Sequence, residues 1–487
     1  MKKFCLALLF LAIPFELFCQ QISLTHSGTL YDATENPVQA SFQKDLSRKY
    51  QINILPAFDF YLLFTGKSDN ALKNLIFNKT LHGSNFPSLG NGETNKIYSK
   101  STVNLFNLRI FKTVNYNREL GFSLQFKNDL KGYVTDETLA LLDTYQNFNQ
   151  SFYDNVLNSR GYNQSYWQLS VNYREDYDKK WAFGGKFSLL NGATYSKINI
   201  NSSNLEILSP ESFQTKLVGN YTSSFGTDSF TYKKLLPNLR NMGLAISGGV
   251  SYTSKKNIYI TLNIKDLGFI HWSKNSSYYQ FNDTVKVSSN STNSTSSQYF
   301  SSFRNIINVN QKHKRFNTVI DTKIDLAASK NFGFYKPIFI FSKSVFRPDG
   351  QIALLNNFRK NAFLISLNPI YDFNTSWNLG SQILIQSANA EFYLGSESLF
   401  PSYYFAKGYL TKNQNIGSGK PIGSIYLGLN VKFGRKMQTI GNADEIRGLN
   451  DKETGYVVRL SKKERRALQK KDKQTDKRSR KNNRRNH

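Results

Sequence analysis

Apolar and polar residues alternate with a period of two along most of this chain. Ile258, Ile260, Leu262 and Ile264 are interleaved with Tyr259, Thr261 and Asn263, and Ile425, Leu427, Leu429, Val431 and Phe433 with Tyr426, Gly428, Asn430 and Lys432. Trp167 to Tyr173, Leu120 to Phe126 and Phe106 to Ile110 repeat the pattern. Successive side chains of a strand point to opposite faces, so each segment has one apolar and one polar face. Candidate strands lie near 50–65, 100–113, 118–128, 162–174, 180–191, 193–201, 212–222, 243–254, 257–266, 276–287, 318–329, 333–346, 362–370, 376–387, 390–398 and 424–434. Roughly 14 of them form one sheet and the surplus belongs to loop hairpins or plug segments.

A half-buried sheet in water shows the same alternation. Two details favour a membrane barrel. Many of the segments run about 9–12 residues, the length of a tilted strand crossing a bilayer. Aromatics also gather at their ends, as in Tyr166–Trp167, Phe269–Trp272, Tyr403–Tyr404 and Phe433, where interfacial girdles sit. Only a closed barrel can span lipid with strands, because every backbone donor and acceptor must be paired internally. The expected fold is therefore all-β, a transmembrane antiparallel barrel of about 14 strands with helical and loop insertions.

Between the strands, Leu141, Tyr145, Phe148, Phe152 and Val156 recur at spacings of three and four, which predicts an amphipathic helix over 135–158. It could pack, cover or plug. Ser288 to Ser297 is nearly all Ser, Thr and Asn and reads as an exposed loop, as does 407–422 with its glycines and Pro421.

Composition sharpens the location. The chain has 487 residues, 14% aromatic and 39% hydrophobic, and a mean hydropathy of −0.46. No mature segment supplies the run of about 20 apolar residues that a spanning helix needs. Lys2 and Lys3, the apolar stretch Phe4 to Phe15, and Leu17 and Cys19 before Gln20 have the layout of a signal peptide over 1–19. Lipidation at Cys19 is the rival reading, and the bulky Phe18 argues against it. Cys5 and Cys19 are the only cysteines, so cleavage there leaves no disulfide and no thiolate ligand.

The run Asn263-Ile-Lys-Asp266-Leu267-Gly268-Phe269-Ile270-His271-Trp272 resembles the signature of an uncharacterised family of Bacteroidota outer-membrane barrels. Asn241-Met-Gly243-Leu-Ala resembles that family's entry into the hairpin. The early Asn36-Pro37-Val38 is similar to its Asn-Pro-Ala element, with Val38 in place of Ala. The resemblance spans roughly 22–434. It implies a likeness to long-chain fatty-acid transporter barrels, whose amino-terminal segment plugs the lumen, and so a plug-like segment over 20–49 and a barrel over 50–434. Gly268 then permits a bend, Trp272 suits a membrane interface, and Asp266 reads as a turn residue capping backbone donors rather than as a ligand.

Catalytic chemistry is sparse. The five histidines have no metal-ligand spacing, there is no Gly-x-Ser-x-Gly elbow, and Gly417-Ser-Gly419-Lys420 followed by Pro421 is not a phosphate loop. Neither an enzyme nor a cofactor is expected. Asp321, Lys323 and Asp325 share one strand face and would tune the electrostatics of a lumen.

After Phe433 the alternation stops. Residues 459–487 carry 14 Lys or Arg and three acidic residues, a net +11 of the chain's +29. Ser461, Lys462, Lys463 and Glu464 form a capping box that could start a short helix over 462–473, with Arg465 and Arg466 in it, and from Lys477 onward the composition is that of a disordered tail. An even strand number puts both termini of an outer-membrane barrel in the periplasm. The tail, 435–487, would then meet an acidic periplasmic partner, the cell wall or anionic headgroups, and nucleic acid is disfavoured because no stacking aromatics accompany the charge. The expected function is passive or gated passage of a small ligand, hydrophobic ones included, across the outer membrane of a Gram-negative bacterium, in contact with its lipids. The alternative is a non-transporting anchor that recruits partners through its loops or tail.

Overall fold

The computed structural model describes residues 22–41, 48–111, 118–178, 180–209, 212–225, 232–288, 295–309, 311–373, 376–417 and 422–436. The signal peptide expected over 1–19 and the expected tail beyond Lys436, with Ser461, Lys462, Lys463, Glu464, Arg465 and Arg466, lie outside the described residues.

The described strands join into one antiparallel sheet that closes into a barrel of 14 staves. Strands β1 (Arg48–Asn53) and β2 (Ala57–Thr65) share the first stave. β3 (Thr94–Phe111) and β4 (Arg118–Thr135) follow, then, after the short β5 (Phe152–Asp154), β6 (Arg160–Asp176) and β7 (Trp181–Ser209). β8 (Ser212–Ser223), β9 (Met242–Thr253), β10 (Ile258–Trp272), β11 (Ser277–Ser288) and β12 (Gln311–His313) come next. β13 (Phe316–Val319) and β14 (Lys323–Lys330) share one stave. β15 (Tyr335–Ser344), β16 (Gly350–Lys360), β17 (Phe363–Asp372), β18 (Ser376–Gln386), β19 (Ala390–Ser396) and β20 (Ile422–Lys436) complete the wall. β20 pairs with both β1 and β2, which leaves no free edge in the wall.

The wall is inverted relative to a soluble protein. Along β10, Ile260, Leu262 and Ile264 are exposed outward, while Thr261, Asn263 and Lys265 are buried inside. β17 repeats this with Phe363, Ile365 and Leu367 out and Ser366 and Asn368 in. An apolar outer band around a polar interior is the arrangement of a barrel that spans a bilayer. No helix among the described residues is long and apolar enough to cross a membrane.

One end of the barrel carries short connections, such as 254–257, 361–362 and 387–389, and Arg48 and Lys436 meet there. The other end carries the long connections. α2 (Asp69–Asn78) and α3 (Asp136–Asp143) lie in two of them, α4 (Thr295–Val309) in a third and α5 (Leu399–Thr411) in a fourth. β7 runs past the barrel rim, and its second half pairs with β8, which pairs in turn with β11. Residues of this extension, among them Phe213, Leu217, Tyr279 and Phe281, join Leu72, Leu139 and Phe303 from α2, α3 and α4 in one apolar core. Within it, burial pushes the Glu137 carboxyl up, against the opposing effect of N–H groups donated by Gly90 and Gly92.

Several sequence expectations need correction. Segments 180–191 and 193–201 are one strand, β7. Segments 212–222 and 276–287 are strands of the extension, not of the barrel wall. The stave 350–360 is absent from the expected strands, because Ile352, Ala353, Leu354 and Leu355 are successive apolar residues that hide the alternation. The helix expected over 135–158 ends at Asp143: Thr144 is extended, a single 3-10 turn follows, and Phe152 points out while Leu141, Tyr145, Phe148 and Val156 remain buried. The loops expected at 288–297 and 407–422 overlap helices, since α4 starts at Thr295 and α5 runs to Thr411.

Candidate functional site: the filled lumen

Residues 22–41 lie inside the barrel and are bonded to inward-facing side chains around most of its circumference. His26 Nε2 meets Thr261 Oγ1 at 2.8 Å, and Lys336 donates to the His26 carbonyl at 3.0 Å. Thr29 caps the short α1 (Leu30–Glu35), and the Leu30 N–H donates to Glu391 on β19 at 2.9 Å. The Tyr31 hydroxyl donates to Asp59 at 2.6 Å. Arg109 donates to the Ala33 carbonyl and Arg174 to the Val38 carbonyl, the latter at 2.6 Å. Ser41 donates from both its amide and its hydroxyl to Glu119. Backbone carbonyls and amides that would otherwise be stranded in a polar lumen are thus paired with the wall.

Of the sequence-selected positions here, Asn36 is buried and donates to Asp32 at 2.7 Å. Pro37 rests against Gly184 of β7: a Cβ at Gly184 would lie 2.1 Å from the Pro37 carbonyl oxygen. Only glycine admits this approach.

Asp266 is the centre of the lumen's charge network. Its carboxylate accepts from Lys127 at 2.8 Å, from Gln168 at 2.9 Å and from Ser247 at 3.2 Å, and forms an ion pair with Lys186 at 2.8 Å. Lys127 also reaches Glu35 of α1, 3.3 Å away, so one lysine ties the inner segment to the wall. The reading of Asp266 as a turn residue is corrected. It sits in mid-strand at a β-bulge, with a left-handed φ of 53°, where the register between β9 and β10 shifts between Ile264 and Leu267. Its N–H donates to Ser247 Oγ and its carbonyl accepts from Thr322.

The bulge also decides the rest of the signature. Before it, even-numbered residues of β10 face out. After it, Leu267 and Phe269 face out, and Ile270 and Trp272 turn in. Trp272 therefore does not meet the membrane interface. It is fully buried, packs against Tyr195 and Phe316, and donates from Nε1 to Thr318 at 2.8 Å. Gly268 is crowded by β9, since a Cβ there would stand 2.4 Å from the Leu244 carbonyl oxygen.

The other predicted charges form a second tier. Asp321 pairs with Lys100, lies 3.7 Å from Lys323 and accepts from Ser344 at 2.7 Å. Asp325 pairs with Lys265 and accepts from Ser342 at 2.6 Å. Asp129 pairs with Arg347 and accepts from Tyr162. Between the tiers and α1 lies a cavity of about 50 Å³, lined by Tyr31, Glu35, Asp59, Lys100, Lys127 and Asp321 among others. That is room for a few waters. It is far below the roughly 300–1,000 Å³ of a site for an organic ligand. Among the described residues, no group of three or more His, Cys, Asp or Glu side chains is placed to hold a metal.

Sequence reasoning passed over Glu35, Asp59, Lys127, Lys186 and Glu391. Their one signal was a charge on the polar side of an alternating strand, or, for Glu35, a charge in a segment with no strand pattern.

A family model, that of a family of unknown function (DUF5723), matches residues 45–397. The chain belongs to that family. Within DUF5723 the match contains the run from Asp266 to Trp272 and starts after Asn36 and Pro37. Comparison with curated proteins finds no match. Among solved structures, the chain is similar to a deltaS2S3 mutant of the monoaromatic hydrocarbon channel TodX, with 9% identity, 85% of this chain and 98% of that one covered, and a TM-score of 0.44. A Pseudomonas aeruginosa FadL homologue gives 9% identity, coverages of 82% and 92%, and a TM-score of 0.38. The translocator domain of the autotransporter NalP from Neisseria meningitidis gives 8%, coverages of 79% and 88%, and 0.31.

Proposed function

We propose that this DUF5723 protein is an outer-membrane barrel that is closed at rest by its amino-terminal segment and opens for gated passage of a small ligand. The observation that carries this reading is the placement of residues 22–41 in the lumen, held by side chains rather than by a strand pairing. A segment fixed by discrete hydrogen bonds and one lysine bridge can leave as a unit without breaking the wall. Signal-peptide cleavage after Cys19 and a periplasmic location for both chain termini fit this topology and belong to the same proposal.

The charged lining bears on the ligand. Moving a purely apolar molecule past Lys100, Lys127, Asp266 and Asp321 offers those groups nothing in exchange for their water. A small ligand with polar groups is favoured on the lumen route, and the hydrophobic ligand suggested by the family resemblance requires a path clear of these ion pairs. The second reading, an anchor that recruits partners, is favoured by the well-packed apolar core over the long-connection end.

A reversible lock tests the gate. Val38 Cβ lies 3.2 Å from where a Gly249 Cβ would stand, close to the span of a disulfide. Val38→Cys with Gly249→Cys should block uptake of glycine and arabinose into proteoliposomes when oxidised and restore it on reduction. Equal uptake in both states overturns the gate, and no uptake in either, with a correctly folded barrel, leaves the anchor reading.

A further inference from the structure

α5 is an amphiphilic helix on the outside of the wall, not a lid over the lumen. The inner and outer faces near it are set by the pairing of β2 with β20. Asp59 and Tyr426 are paired and both face in, as the Tyr31–Asp59 and Tyr426–Gln382 bonds require. Their neighbours Phe60, Ile425 and Gly423 therefore face out. Phe405 of α5 lies against this outer surface, 3.5 Å from where a Gly423 Cβ would stand, beside Phe60. Ser402 accepts from the Ser424 N–H at 2.9 Å, and a Cβ at Gly408 would stand 2.8 Å from the Phe77 ring of α2. Ser402, Phe405 and Gly408 are the docked side.

The opposite side is apolar and uncovered. Phe400, Tyr403, Tyr404 and Leu410 are 56%, 59%, 45% and 80% exposed. Positions 400, 403, 404 and 407 recur at helical spacing, so the first three form one continuous aromatic face with Lys407 beside it. α5 contains no acidic residue, and Lys412 closes it with Nζ 4.2 Å from the Tyr409 ring centroid. α5 also packs against β18, where Trp377 is exposed and lies with Tyr371 and Phe373 in one aromatic group at the same end of the barrel. Outward aromatics at a rim, flanked by lysines, sit at the level of lipid headgroups.

We infer that α5 is an interfacial helix: its Phe400, Tyr403, Tyr404 and Leu410 side enters the headgroup–acyl boundary of the leaflet at the long-connection end, and Lys407 and Lys412 face anionic headgroups. Continuity with the outward apolar band selects a lipid surface over a protein as the occupant. The inference rests on the membrane-spanning reading of the barrel, and a reference position separates the two.

The test uses the full chain with Cys5→Ser and Cys19→Ser and a nitroxide label at Tyr403→Cys, at Ile365→Cys on the lipid-facing side of β17, or at Asn389→Cys in a short turn. In vesicles of phosphatidylcholine and phosphatidylglycerol, a label at position 403 should be several-fold more accessible to oxygen than to a water-soluble nickel chelate, at a depth shallower than position 365. Nickel accessibility at 403 equal to that at 389 overturns the inference while position 365 still reports lipid. Protection of 403 from both relaxants in these protein-dilute vesicles overturns it in favour of a second copy. Aqueous behaviour at 365 itself defeats the membrane-spanning reading instead.

Discussion

At the scale of single residues, Asp266 does three things at once. It neutralises Lys127 and Lys186, it links the wall to α1 through Lys127 and Glu35, and its left-handed backbone makes the bulge that turns Trp272 inward. Removing one member of a buried ion-pair group leaves the others uncompensated, which costs about 3–5 kcal/mol. Asp266→Asn should therefore lower the unfolding free energy in lipid by about that much, measured by urea titration of tryptophan fluorescence. A loss below about 1 kcal/mol, the worth of an ordinary hydrogen bond, would show that the network does not hold the lumen. Lys323, by contrast, has its nearest carboxylate at 3.7 Å, so Lys323→Gln should be far milder in the same titration.

At the scale of elements, the alternation predicted most of the staves because side-chain period follows directly from strand geometry. What it could not carry was any local event that resets the count. The bulge at Lys265–Asp266 is one: read without it, Trp272 shares parity with Ile260 and Leu262 and is assigned to the outside. β16 is another, where four consecutive apolar residues, Ile352 to Leu355, mask the period. β8 and β11 alternate as well as any wall strand, yet they stand beyond the rim, and only the length of β7 decides that. The inner segment is legible through resemblance alone, since residues 22–41 show no period and the bonds that seat them in the lumen run to wall residues distant in the chain. Two substitutions test the element-level assignments. Leu262→Arg places a charge on the outward band and should cost about 2–4 kcal/mol near the bilayer midplane. Gly184→Leu should push Pro37 and Val38 off β7 without unfolding the barrel, exposing the 22–41 segment to limited proteolysis. An uncut segment in that variant would mean the contact at Gly184 does not seat it.

At the scale of the whole molecule, the chain spends its charge inside and its grease outside. Lumen lysines and aspartates pair with one another, and the apolar surface that a soluble protein would bury is turned outward. Such a wall should migrate faster on a detergent gel before boiling than after it, because the closed sheet resists unfolding by detergent until heated. The central claim is narrower: that the polar lumen is continuous and is closed by residues 22–41. Single-channel conductance in planar bilayers tests it most directly, comparing the full protein with a form lacking residues 22–41 that retains heat-modifiable migration. The account predicts a quiet or rarely opening full protein and a steadily conducting deletion form. A deletion form as silent as the full protein would contradict it.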